Sequence, residues 1–251
     1  MTVSPPGAAR GDLSLSVLVP ALNEESGLEP TVTQLLEILP AVVRSFEILI
    51  VNDGSVDGTA AAAERLTQKD PRVRVFHHAV NMGLGFSYLH GVREARMTHF
   101  VFIPGDNSWP PASVLLIFGH LGEADVVTSH ATNPDCRVGY RRVLSSAFTY
   151  SVNVLFGFKM KYYNGLTVYP RRFLLDHPAT THGFGFQAET LLRALAAGLS
   201  VVEVGAPIDE SSGQRSKAIT ARNMTSVAKT IARTYWDLRV RRSGPLPYRH
   251  G

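Results

Sequence analysis

The sequence predicts an α/β fold, a mostly parallel central sheet with helices on both faces. Three observations lead there. Short β-rich runs alternate with longer helix-like stretches through the first half of the chain, the rhythm of consecutive βα units. The run over 46–51, FEILIV, is apolar except for Glu47, as expected of a strand covered on both faces. The 251 residues, 45% of them hydrophobic and 18% charged, are enough for one large and well-buried core.

Taken in order, residues 13–20 (LSLSVLVP) read as the first strand, followed by an Asn-Glu-Glu loop and a helix over 27–39 that Pro40 ends. After the strand over 46–51 and the turn Asn52-Asp53-Gly54-Ser55, the alanine-rich stretch 57–69 has high helix propensity, with Asp57 placed to cap it. Residues 73–77 read as a third strand, 85–96 as a third helix and 100–104 as a fourth strand. Pro110-Pro111 restarts a helix, since proline is tolerated in a first turn, and 125–129 is a further strand. The second half is less regular: a helix over 141–156, a loop around Asn164-Gly165, a helix over 187–197 and a strand over 201–205. Over 223–242, Val227, Ile231, Tyr235 and Leu238 recur at helical spacing among Lys229, Arg233, Arg239, Arg241 and Arg242. Such a helix either packs on the domain with its basic face in solvent or lies on an anionic membrane surface. The chain divides into a loose start (1–11), one large domain (12–220) and a basic C-terminal helix and tail (221–251).

Composition narrows the function classes. The opening residues hold no apolar run long enough for a secretory signal, and no segment reaches the roughly 18 consecutive apolar residues of a membrane span. The expectation is a cytoplasmic protein, with any membrane contact peripheral and at the inner face. The single Cys136 fits that compartment and excludes an internal disulfide and a cysteine zinc site. A net charge of +4 points to an anionic partner, and without zinc-finger spacing or an RNA-binding aromatic signature that partner is not nucleic acid.

The strongest chemical signal is the stretch Val51-Asn52-Asp53-Gly54-Ser55-Val56-Asp57-Gly58-Thr59, placed where a buried strand gives way to a helix. Ligands of open α/β sheets bind outside the carboxyl ends of strands, where a carboxylate can accept hydrogen bonds from a base or a ribose. Asp53 is the ligand-binding candidate, while Asp57 and Thr59 serve the turn and the helix start. His77, His78, His90 and His99 lack metal-ligand spacing and read as satisfied, partly buried histidines. Trp109, before the two prolines, either shapes the next loop or packs.

Val19-Pro20-Ala21-Leu22-Asn23-Glu24-Glu25, then Val51-Asn52-Asp53-Gly54-Ser55, then Asn81-Met82-Gly83-Leu84-Gly85 together resemble the inverting family-2 glycosyltransferases of the GT-A fold, the family that includes the dolichyl- and polyprenyl-phosphate mannose synthases. The resemblance runs from about residue 13 to 217 and implies that 12–220 is a GT-A catalytic domain. It implies a nucleotide-sugar site built from Pro20, Asn23, Glu24, Asp53, Ser55, Asn81 and Gly83, together with Asp106. Family members carry Asp-x-Asp after the fourth strand, whereas this chain reads Pro104-Gly105-Asp106, so Asp106 is left as the metal ligand for Mg²⁺ or Mn²⁺. A hard cation can use few protein carboxylates if diphosphate and water supply the other oxygens.

On the acceptor side, Arg141-Arg142-Val143-Leu144-Ser145 resembles the Arg-x-x-x-Ser element that grips a lipid phosphate, and Phe186-Gln187-Ala188-Glu189 resembles that branch's Phe-Gln-x-Glu run. Arg141 and Ser145 are therefore acceptor-binding candidates, since guanidinium matches phosphate with two parallel hydrogen bonds. Ser129-His130 stands where Ser-Arg is usual. Gly213-Gln214-Arg215-Ser216-Lys217 resembles a loop that closes over diphosphate and acceptor, which adds Arg215 and Lys217; a mobile basic surface loop would have the same composition. Asp106, Glu189 and Lys217 are the candidates for roles in the chemistry. Glu189 acts as a base if the acceptor is an alcohol, and structurally if it is a phosphate, which is already a nucleophile.

The expected function is transfer of a hexose from a GDP- or UDP-sugar to a polyprenyl phosphate with inversion. The alternatives are a soluble transferase acting on a small-molecule or natural-product acceptor, and a catalytically weak sugar-nucleotide binding protein.

Overall fold

Successive side chains of a strand point to opposite faces, so a strand apolar along its length needs cover on both. Strands β1 (Ser14–Ala21) and β2 (Ser45–Asp53) show this in the computed structural model, which describes residues 13–133, 139–208 and 221–241. Leu15, Val17, Val19 and Ala21 of β1 and Phe46, Ile48 and Ile50 of β2 enter one core, and Leu18, Leu49 and Val51 enter another on the far side. The first core is closed by α1 (Leu28–Ile38), α2 (Thr59–Lys69) and α4 (Pro111–Phe118). The second is closed by α3 (Leu84–Glu94), α5 (Gly139–Phe156), α6 (Arg171–Asp176), α7 (Phe186–Ala196) and α8 (Ala221–Tyr235).

The remaining strands are β3 (Val73–His78), β4 (His99–Phe102), β5 (Val126–Ala131), β6 (Thr167–Pro170) and β7 (Val201–Ala206), and the sheet order is β3-β2-β1-β4-β6-β5-β7. β6 runs antiparallel to both of its neighbours, and the other pairings are parallel. The expected mostly parallel sheet with helices on both faces is the fold observed. The sequence reading assigned neither β6 nor α6. A four-residue strand ending in proline and a six-residue helix are both too short for a periodic signal.

Boundaries moved for local reasons. β2 continues through Asn52 and Asp53, which the sequence placed in the turn, because both residues pair with β3. Asp57, expected as the cap of α2, lies one residue before the cap position: Gly58 is the capping residue, and the Asp57 carboxylate accepts the Thr59 N–H at 3.0 Å. The basic C-terminal segment packs on the domain, with Ile231 buried and Val227, Tyr235 and Leu238 against the second core. A short π-helical turn, Trp236–Val240, follows it. No helix among the described residues is long and apolar enough to cross a membrane.

Glu47, the polar exception in β2, is buried and tied on both oxygens. Oε1 accepts the Ser16 hydroxyl at 2.7 Å and the Arg96 N–H at 2.6 Å, and Oε2 accepts Arg74 Nη1 at 3.0 Å. It joins β1, β2, β3 and the entry to β4 in one charge-assisted cluster. Glu47→Ala, which leaves Arg74 without its buried counter-charge, is expected to lower unfolding free energy by about 3 kcal/mol. Urea denaturation followed by circular dichroism tests this; a loss no larger than that of an exposed ion pair, under about 1 kcal/mol, would show the cluster to be dispensable.

Candidate active site

Parallel pairing brings the carboxyl ends of β1, β2 and β4 to one edge of the sheet, with Ala21 opposite Asn52 and Leu18 opposite Phe102. Their three loops emerge side by side, in the place where open α/β sheets bind ligands. The first two are laced together. Asn23 N–H donates to Ser55 Oγ at 3.0 Å, Asn23 Oδ1 accepts Val56 N–H at 2.9 Å, and Glu24 N–H donates to Thr59 Oγ1 at 2.9 Å. Gly58 N–H reaches Glu25 Oε2 at 3.2 Å, and Glu25 N–H reaches the Asp57 carboxylate at 3.3 Å. Asn23 makes its two contacts from a left-handed backbone (φ 57°), which asparagine tolerates better than most residues. Thr59 and Glu25 are site-shaping residues that the sequence reading gave no such role, because nothing local signals a bond spanning more than thirty residues.

Asp53, at the last position of β2, is buried, with its side chain 6% exposed. Its Oδ1 accepts Met82 N–H at 2.9 Å and pairs with His78 Nδ1 at 2.7 Å, and its Oδ2 accepts Gly83 N–H at 2.9 Å. His78 passes the chain on, with Nε2 2.8 Å from His90 Nδ1. A carboxylate offers about four lone-pair sites, so Asp53 has one left over among the described residues. Most of its capacity holds the Asn81–Gly83 turn, where Asn81 Oδ1 also accepts Gly83 N–H at 2.9 Å. Gly83 has φ 92° and Gly54 φ 73°, and a Cβ on Gly54 would stand 2.5 Å from the Val80 carbonyl carbon. The two turns therefore need glycine to approach. Burial, with the nearby His78, lowers the pKa of His90.

The third loop carries Asp106. Gly105 N–H donates to the Pro20 carbonyl at 3.3 Å, Asn107 N–H to Thr31 Oγ1 at 2.9 Å, and a Cβ on Gly27 would lie 2.9 Å from the Asp106 Cα. The loop is thereby pressed onto the start of α1. Asp106 is half-buried; Oδ1 accepts Ser108 N–H at 3.1 Å, and Oδ2 has no protein partner among the described residues. Those residues contain no group of three or more His, Cys, Asp or Glu able to hold a metal. One carboxylate oxygen fits a cation that takes its other ligands from a bound diphosphate and water. Trp109 packs against the first core, and its carbonyl accepts Gln34 Nε2 at 2.9 Å.

On the acceptor side, Arg141 and Ser145 lie one turn apart on one face of α5, both half-buried. Ser129 Oγ and His130 Nδ1, at the carboxyl end of β5, are buried without a hydrogen-bond partner among the described residues. Burial and the neighbouring Lys161 lower the His130 pKa, which disfavours the charged imidazolium at the position where the lipid branch carries an arginine. Arg215 and Lys217 lie outside the described residues.

Glu189 stands apart from solvent, fully buried in the first turn of α7. Its Oε1 accepts Thr180 N–H at 3.0 Å, Thr180 Oγ1 at 2.8 Å and Arg193 Nη2 at 2.9 Å; its Oε2 accepts Thr181 N–H at 3.3 Å. Oε1 is thus saturated, Oε2 carries a single long bond, and the whole group is shut from solvent, whereas a general base needs an oxygen that reaches the acceptor. A neighbouring residue, His182, closes the same turn onto α3 by accepting Gly85 N–H at 3.0 Å through its carbonyl.

A nucleotide-sugar edge on a doubly covered mixed sheet is the architecture of the GT-A glycosyltransferases, and this is the fold of the chain. Residues 16–184 match the glycosyl transferase family 2 model, and the chain belongs to that family. It is 32% identical over 212 residues to polyprenol monophosphomannose synthase of Mycolicibacterium smegmatis, covering 79% of this chain and 78% of that one. It is 28% identical over 248 residues to glycosyltransferase AglD of Haloferax volcanii, covering 94% of this chain but only 39% of AglD. Of the yeast dolichol-phosphate mannosyltransferase the match spans 52%. Among solved structures, glucosyl-3-phosphoglycerate synthase of Mycobacterium tuberculosis, in complex with Mn²⁺, UDP-glucose and phosphoglyceric acid, superposes with a TM-score of 0.70 at 19% identity over 90% of this chain and 81% of that one. That likeness supports the fold.

Glu189→Gln keeps the volume but removes the charge facing Arg193, and the expected result is a loss of about 3 kcal/mol in stability with kcat of the folded fraction within about threefold of wild type. Thermal denaturation and steady-state kinetics test it together. A stable variant with kcat down by more than about 100-fold would instead make Glu189 a base.

Proposed function

We propose that the protein transfers a hexose from a UDP- or GDP-sugar to a polyprenyl phosphate with inversion at the anomeric carbon. The observation that carries this reading is the joining of three loops at one edge, Asn23–Glu24, Asp53–Ser55 with Asn81–Gly83, and Asp106, into one hydrogen-bonded cradle. A relative named as a polyprenol monophosphomannose synthase, covered over most of its length, supports the acceptor class.

In this mechanism Asp53 and the laced loops hold the nucleoside, and Asp106 faces the diphosphate. Asp106 would be the residue that holds Mg²⁺ or Mn²⁺, and such a cation would supply positive charge to offset the charge developing on the leaving nucleoside diphosphate. Arg141 and Ser145 grip the lipid phosphate and set one of its oxygens behind the anomeric carbon. That oxygen forms the new C–O bond as the bond to the nucleoside diphosphate breaks, and the leaving group departs with the electron pair. An ionised phosphate needs no deprotonation, which agrees with a Glu189 that is closed off. Arg215 and Lys217 complete this reading as residues that cover diphosphate and acceptor.

A second reading, a soluble transferase acting on a small-molecule or natural-product acceptor, draws support from His130, which stands where the lipid branch carries a phosphate-binding arginine. Both readings are separated by one assay: a panel of UDP- and GDP-sugars with Mn²⁺ and a short polyprenyl phosphate, scored for sugar on lipid. Transfer to lipid supports the proposal. Donor hydrolysis without a lipid product favours the soluble acceptor, and nucleotide-sugar binding without any turnover makes the chain a binding protein.

Two variants probe the parts. Asp106→Ala is expected to lower metal-dependent turnover by about 100-fold or more, and an unaffected rate would remove it as the ligand. Arg141→Ala should raise the acceptor KM by about tenfold or more while the donor KM stays near wild type, as loss of a charge-assisted phosphate contact requires. An unchanged acceptor response would sink that assignment.

A further inference from the structure

Helix α5 is apolar on two opposite faces. Val152 and Phe156 are buried in the second core with Phe148 against it, as an amphipathic surface helix requires. On the other face Tyr140 (62% exposed), Val143 (66%), Leu144 (39%), Tyr150 (72%), Val154 (66%) and Leu155 (42%) stand in solvent. At roughly 3.6 residues per turn these six fall within an arc of about 140°, so they form one continuous stripe along the helix. Nearby, Arg239 reaches the Phe156 carbonyl and ties the 236–240 turn to the end of α5, and that turn exposes Trp236 (53%) and Val240 (48%). Apolar side chains scattered singly on a surface need no explanation, but a contiguous row does.

Charge says what the row meets. Residues 139–163 contain four Lys or Arg and no Asp or Glu, and residues 221–241 contain five and a single acid, Asp237. Together they carry a formal +8, against +4 for the whole chain, so everything else sums to −4. Lys159, Lys161, Arg233, Arg239 and Arg241 are exposed, whereas Asp237 is partly buried 3.6 Å from Arg193. A second copy of the same surface would set positive against positive. An anionic bilayer supplies the opposite charge together with an apolar layer, and tyrosine and tryptophan favour its boundary.

We propose that the outer face of α5, with the 236–240 turn, is a docking surface for the headgroup and upper acyl region of an anionic membrane, the helix lying in the plane of the interface. The sequence pattern leaves α8 two readings, packing on the domain or lying on an anionic membrane. Val227, Ile231 and Tyr235 of α8 are taken up by the core, and α5 supplies the row. The purpose of the surface rests on the polyprenyl-phosphate reading, since Arg141 and Ser145 sit on the same helix, but its binding needs no sugar donor.

Sedimentation with vesicles of phosphatidylcholine and phosphatidylglycerol, and of phosphatidylcholine alone, tests it on the full chain. The protein is expected to pellet with the anionic vesicles, less with the neutral ones, and less at high salt. Tyr150→Asp/Val154→Asp, at two of the most exposed positions, should reduce partitioning by about tenfold or more, and Trp236→Ala by a smaller factor, with donor hydrolysis in solution unchanged. Equal pelleting of wild type and both variants, no pelleting with anionic vesicles, or a concentration-dependent dimer that the double variant abolishes would overturn the proposal. Vesicle binding without lipid-linked product would retain the surface and remove the acceptor, whereas lipid-linked product without vesicle binding would do the reverse.

Discussion

The parallel register of β1 with β2 and β4 is the constraint on which the candidate site depends. Three carboxyl ends must reach the same edge at the same height for Asn23 to meet Ser55 and for the Pro20 carbonyl to meet Gly105 N–H. A one-residue slip would exchange the faces of each strand, sending Ile48 and Ile50 to the core that Leu49 and Val51 occupy. Because β1 and β2 are packed on both sides with different helices, such a slip is excluded by two cores at once. The site inherits its precision from apolar packing, and the polar lacing then fixes loops whose starting points are already set.

Within that frame Asp53 has a double position. Its carboxylate ends β2, pairs with His78 across to β3 and holds two backbone N–H groups of the turn leading to α3. Burying a carboxylate is costly unless it is hydrogen-bonded and paired, and here it is both. On the proposed reading, a nucleoside meets a group whose orientation is settled before it arrives. Asp106 is the complement, pressed against α1 through Gly27 and Thr31 but with one oxygen open. On the same proposed reading, a substrate diphosphate would supply the other oxygens of a cation at Asp106, which would tie metal binding to donor binding.

What was legible in the sequence is what local pattern encodes. The strands β1, β2 and β3, the helices that follow them and the glycines of the turns all announce themselves through periodicity or backbone need. The loops of the candidate site were legible as places, because strand ends followed by Asn, Asp and Gly are turns whatever their use. Their partners were not: Thr59 for Glu24, His78 for Asp53 and Thr180 for Glu189 are choices made by tertiary proximity. Glu189 illustrates the limit, since an acid in a first helical turn reads alike whether it faces solvent or Arg193. The same limit hid α5, whose apolar residues look uniformly core-directed until the structure shows which of its two faces is covered.

That second face bears on how the candidate edge could serve a lipid acceptor. A phosphate on a polyprenyl chain lies at the boundary of a bilayer, so on the proposed reading the domain must bring its acceptor residues to that boundary and keep its nucleotide site outside it. Arg141 occupies the first turn of α5, the element that follows β5 in the chain, and β5 has its carboxyl end on the edge that also carries Asp53 and Asp106. One helix would then set both the height of the protein above the lipid and the position of the phosphate grip, while the negative remainder of the chain stays away from an anionic surface. Geometry of that kind lets a phosphate leave the headgroup plane by little and still meet the anomeric carbon, and it makes the orientation of the whole domain, rather than any single acceptor residue, the source of preference for a lipid-borne phosphate over a free one.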